Sequence, residues 1–114
     1  TKPVDEPRLK AEIWIKALVR RLEIDFITAM VTHSGDAQAG AIYLKLNDLN
    51  DGCQVLSRSY GQDGKRLWAP ATGDAPVTEE RANDYITKQL KFDEDCWVVE
   101  IEDPAGKFDM STLD

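Results

Sequence analysis

Cysteine, histidine and positive charge are scarce in this chain. Its 114 residues hold two Cys, one His and 14 Lys plus Arg against 21 Asp plus Glu. A zinc site needs about four ligands, and Cys53, Cys96 and His33 do not supply them, so neither a metal nor a cofactor is expected. Both cysteines sit in apolar, strand-like runs, which reads as two buried free thiols of a reducing compartment rather than a bridge. A net charge of −7 disfavours nucleic acid as a partner, because that binding neutralises phosphates with clustered Lys and Arg. The one basic concentration, Lys16, Arg20 and Arg21, is interleaved with Glu12 and Glu23. No apolar run nears the roughly 18 residues of a membrane span, and the first residues lack the basic-then-apolar order of a signal peptide. The expectation is a cytoplasmic, acidic protein that makes no membrane contact.

What is present is an ordinary globular mixture, 42% hydrophobic and 31% charged, in a length that suits one domain with a real core. Residues 1–7 read as an extended N-terminal tail, 8–103 as a single domain and 104–114 as a C-terminal tail. Arg8–Glu23 has helical spacing, with a wide apolar arc of Ala11, Trp14, Ile15, Leu18, Val19 and Leu22. A second, narrower stripe of Leu9, Ile13 and Ala17 lies outside that arc and asks for a cover, which makes it a candidate self-association surface.

From Phe26 the period changes to two. Ile27–Thr32, Ala41–Leu46, Cys53–Tyr60 and Arg66–Ala71 read as strands, with Asn50-Asp51-Gly52 and Asp63-Gly64 as turns between the later ones. Thr78 has the chemistry of a helix N-cap, and Glu79 and Glu80 follow in the first turn. That helix runs to about Lys91, and Cys96–Glu102 forms the last strand, with Trp97, Val99 and Ile101 inward. The order α-β-β-β-β-α-β predicts an α+β fold, a mostly antiparallel sheet of about five strands with two helices packed on one face.

Chemistry-bearing constellations are few. Gly35-Asp36-Ala37-Gln38-Ala39-Gly40 is the most distinctive segment; its glycines first suit the geometry of a turn, and the alternative is close approach of a ligand or partner to the backbone at Gly35, Asp36 and Gly40. It matches neither phosphate-loop pattern, and a strand follows it rather than a helix. His33, Ser34 and Asp36 are the residue types of a hydrolase triad, but neighbours on an extended chain diverge where a triad converges, so no catalytic residue is assigned. Asn47–Gly52 fails as a calcium loop, because Leu49 and Arg58 stand where ligands are required. Trp68, with Arg58, Tyr60 and Arg66 around it, forms a candidate contact surface of the kind found at interfaces; the alternative is Trp68 packed beneath a helix.

Three blocks taken together resemble a known family. Arg8–Ala17, Gly35–Ala41 and Trp97–Asp103, with Arg66-Leu67-Trp68 and Asp84-Tyr85-Ile86, are similar to the domain-of-unknown-function family 1491 of short bacterial proteins. The resemblance implies a stand-alone cytoplasmic protein and carries over no catalytic or binding residue. The expected function is a non-enzymatic protein-interaction module whose partner is another protein or a second copy. The alternative is a small-molecule-binding protein or enzyme with a site beside Gly35–Gly40.

Overall fold

The computed structural model describes residues 10–38, 40–50, 52–60 and 66–113, without the side chains of residues 59, 60, 66, 67 and 112. Element order is α1 (Ala11–Ile24), β1 (Thr28–His33), β2 (Ile42–Asn47), β3 (Cys53–Tyr60), β4 (Arg66–Pro70), α2 (Glu79–Phe92), β5 (Trp97–Glu102) and a short 3-10 turn, Met110–Thr112. The α+β class and the mostly antiparallel five-stranded sheet match the sequence expectation.

Strand order is β1-β5-β2-β3-β4. β2, β3 and β4 form the antiparallel meander that their short links imply. The last strand, β5, enters between β1 and β2, antiparallel to β1 and parallel to β2. Among the described residues β1 is therefore an edge strand, with β5 as its one strand neighbour.

The helices divide between the two faces of the sheet instead of sharing one. Ala11, Trp14, Ile15, Leu18 and Leu22 of α1 pack with Ile42, Leu44, Leu56, Trp97, Val99 and Ile101. Ala82 and Ile86 of α2 pack with Cys53, Val55 and Val98, flanked by Tyr43 and Tyr85. Side chains alternate along a strand, so Leu44 and Tyr43, or Val99 and Val98, face opposite ways. The central strands bury side chains on both faces, Val55 and Val98 on the α2 side as well as Leu44 and Val99 on the α1 side, so each face needs a cover.

Thr78 caps α2 as its residue type predicts, its hydroxyl accepting from the Arg81 N–H at 3.1 Å. The segment after β5 takes part in the packing. The Asp103 carboxylate accepts from the N–H groups of Lys107 and Phe108 at 2.9 and 2.7 Å. That turn carries Phe108 against the α1-side core and Leu113 into it, 2% exposed.

Candidate functional site

The loop between β1 and β2 must step across β5, because the strands it joins are not neighbours. Its glycines make that step possible. A Cβ at Gly35 would lie 2.0 Å from the Asp95 carbonyl oxygen, and one at Gly40 would lie 2.5 Å from the same atom. The close approach is to the chain's own backbone. Asp36 N–H donates to the Asp95 carbonyl at 2.8 Å, and the Trp97 indole donates to the Asp36 carbonyl at 2.7 Å. The carbonyls of Gln38 and Ala37 accept from the N–H groups of Ala11 and Glu12, donors that have no partner inside a helix. The segment thus joins α1 to β5. The described surface clefts are lined by other residues.

His33 is occupied in the same way, its Nδ1 lying 2.9 Å from the Cys96 carbonyl oxygen, to which it donates. Asp48 accepts from Asn50 and Gly52, so the acidic loop before β3 is a closed turn. Among the described residues no group of three or more His, Cys, Asp or Glu could hold a metal ion.

Trp68 lies under α1. Its ring stacks on Trp14 with centroids 5.3 Å apart, and the Arg58 guanidinium sits 5.7 Å from the Trp14 ring centre and 5.9 Å from that of Trp68. The side chains of Tyr60 and Arg66 lie outside the described residues. Ile13 and Ala17 are on the exposed side of α1, Ile13 at 50%, and Leu9 lies outside the described residues.

Two features escaped the sequence reading. On the α2 side Lys45 is buried, its Nζ 2.8 Å from Glu79 Oε2 and 3.4 Å from Glu100 Oε2. Burial alone would lower its pKa; the hydrogen bond to Glu79 and the charges of Glu100 and Glu79 outweigh that and raise it. This group ties the start of α2 to the two central strands. Its charges are matched, which makes it a structural clasp.

The other feature is at the edge. α1 ends in a Schellman turn: Phe26 N–H donates to the Glu23 carbonyl, and Ile27 N–H to the Leu22 carbonyl at 2.9 Å. The left-handed position of that turn, which favours glycine, is filled by Phe26 at φ 62°. Its side chain is 90% exposed, touched on one side by Lys107, whose Nζ is 5.9 Å from the ring centre. Ile24 at the end of α1 and Met30 and Val31 on β1 are also exposed. An aromatic residue standing where the sequence pattern calls for Gly or Asn after a helix was the signal available.

The family model described as "Protein of unknown function (DUF1491)" matches residues 9–110. The crystal structure of a DUF1491 family protein from Caulobacter crescentus CB15 is similar at 36% identity and TM-score 0.80, covering 88% of this chain and 92% of that one. An NMR structure of a DUF1491 family protein from the same organism is similar at 35% identity and TM-score 0.78, covering 90% and 92%. The solution structure of protein Atu0922 from A. tumefaciens matches at 26% identity and TM-score 0.76, covering 94% and 92%. No curated protein matches the chain.

Proposed function

Because the chain belongs to the DUF1491 family, whose description assigns no activity, its function has to be read from its own surface, and we propose that it is a non-enzymatic protein-interaction module docking through the β1 edge. Phe26 carries this reading. A non-glycine residue in the left-handed region costs about 1–2 kcal/mol, and exposing a full aromatic ring forgoes its burial as well. Both costs fall on one residue, next to an edge strand that presents Met30 and Val31 to solvent. Edge strands of monomers are usually blunted by Lys, Pro or a cover, whereas Thr28–Thr32 holds no charged residue, no Pro and no Gly. Main-chain groups of such an edge take an added polypeptide strand, and the apolar side chains beside it supply the affinity.

A benzophenone amino acid placed at position 30 tests this. On irradiation in a native lysate it should form a polypeptide adduct that the same probe at the exposed position Asn83, on α2, does not form. Equal labelling from the two positions would remove the reading.

A further inference from the structure

We propose that the strand added at this edge is β1 of a second copy, giving a two-fold dimer with a continuous ten-stranded sheet. The inference rests on the reading of β1 as a docking edge and names its occupant.

A two-fold interface brings each surface patch against itself, so the patch must be self-complementary in shape and in charge. Register is the first constraint. Directly opposed residues of antiparallel strands share a face, so the axis must pass through a residue and not between two. The irregularity between Val31 and His33 ends the regular pairing of β1, leaving Thr28–Val31, and of its two central residues Met30 is the more exposed, which sets the axis there. With the axis at Met30, Ala29 and Val31 each face the other on the α1 side. Thr28 and Thr32 pair on the opposite side, and Met30 meets its own copy. No charge opposes a like charge anywhere along the strand.

Charge on the overlying helix supplies the second constraint. Val31 shares an open cleft with Ile15, Lys16, Val19, Arg20 and Glu23 of α1. Val19 and Arg20 are the middle of the α1 residues that line this cleft. Two antiparallel helices related by an axis between Val19 and Arg20 put Lys16 opposite the partner's Glu23, and Glu23 opposite the partner's Lys16. The helix charges are thus complementary across a two-fold axis, as the strand register requires. Lys16 now lies 3.8 Å from Glu12, with its side chain 75% exposed, and a pair that exposed is worth little, so Lys16 can turn to the new partner. Around this axis the chain's net charge of −7 is locally offset by Lys16 and Arg20. The same axis carries Phe26 toward the far end of the partner's β1, where its exposed ring gains a cover.

Light-scattering mass on the purified chain is the test. At about 100 µM, a concentration that populates any interface of micromolar affinity, the wild type should run at twice the 12.8 kDa chain mass. Lys16→Glu and Glu23→Lys should each weaken the dimer about tenfold, as two lost and reversed pairs imply. The double variant Lys16→Glu/Glu23→Lys should restore it, because the pairs re-form with signs exchanged. Circular dichroism checks that each variant is folded, which these exposed positions permit. A wild type of single-chain mass overturns the dimer, as does a dimer indifferent to both reversals or not rescued by the double variant. If the chain is monomeric yet the probe at position 30 captures a different protein, the edge reading stands and the second copy falls. If it is monomeric and captures nothing, both fall.

Discussion

Trp14 and Trp68 stack with their ring planes 20° apart, one from the first helix and one from the far edge strand of the sheet. The pair spans the α1-side core, and the Arg58 guanidinium lies within cation–π reach of both rings. A double-mutant cycle with Trp14→Leu and Trp68→Leu, read by urea unfolding, should give a coupling of about 1 kcal/mol, the usual worth of a stacked pair beyond its burial. Additivity of the two losses would show that the stack contributes burial alone.

Gly35→Ala should be among the most destabilising single-methyl changes in the chain. Its Cβ would sit 2.0 Å from the Asp95 carbonyl oxygen, backbone against backbone, while a Cβ at Gly73 would meet nothing within 4 Å. Gly73→Ala incurs only the strain of φ +99°, about 1–3 kcal/mol. Gly35→Ala must also move the start of β5, and a cost of about 3 kcal/mol or more is expected. Denaturant midpoints of the two variants give the order directly.

Replacing Phe26 should separate stability from association. Phe26→Asn places a residue tolerant of the left-handed region at φ 62°, so the unfolding midpoint is expected to hold or rise. Adduct formation by the probe at position 30 and doubling of the mass are expected to fall. A clear loss of monomer stability in Phe26→Asn would mean that the ring is held by the fold and not kept for a partner.

Stability should be level through neutral pH and decline in alkali. Burial pushes the Cys53 thiol up against the pull of Lys45, and it pushes Cys96 up with help from Asp93. Burial raises the phenols of Tyr43 and Tyr85 as well. Lys45 is raised despite its burial, by Glu79 and Glu100. Every one of these groups holds its proton more tightly folded than unfolded. Their contribution is complete below the unfolded values and is lost as pH climbs through the folded ones. The thiols start the decline near pH 8.5 and the phenols and Lys45 continue it from about 10. Urea midpoints from pH 6 to 11 should trace this, and Cys53→Ala/Cys96→Ala should delay the onset to about pH 10. An unchanged onset would mean that the thiols titrate alike in both states.

Leu113→Ala should cost about 2–4 kcal/mol, the price of a large-to-small change in a packed core. Leu113 is 2% exposed. A loss under 0.5 kcal/mol by denaturation would mean that the C-terminal segment contributes nothing to the core.

Local signals made the elements legible. Period-two runs, Asn-Asp-Gly chemistry and the Thr78 cap located every strand and both helices to within a few residues. Topology had no such signal. Nothing in Trp97–Glu102 tells that it slots between β1 and β2, since the choice is made by long-range packing. The covering of both sheet faces was partly written in Val98, apolar beside the inward Trp97 and Val99. Glu100 and Glu102 hid it by making that face look solvated, whereas Glu100 is drawn in by Lys45. The glycines of Gly35–Gly40 were visible, but their purpose depends on β5 lying beneath them, which only the strand order supplies. The left-handed backbone of Phe26 was not legible because a sequence pattern shows where a helix stops, not the backbone angle of the residue after it.

The place of β5 has a consequence for the chain as it is synthesised. Among the described strands β1 is the first to emerge, yet β5, the strand it pairs with, is the last of the five to leave the ribosome. Throughout that interval the meander β2–β4 can form, but Thr28–His33 waits without the strand it pairs with among the described residues. Such long-range pairings are the slow ones, and a chaperone that shields one short apolar strand would guard the most vulnerable stage of this protein's life.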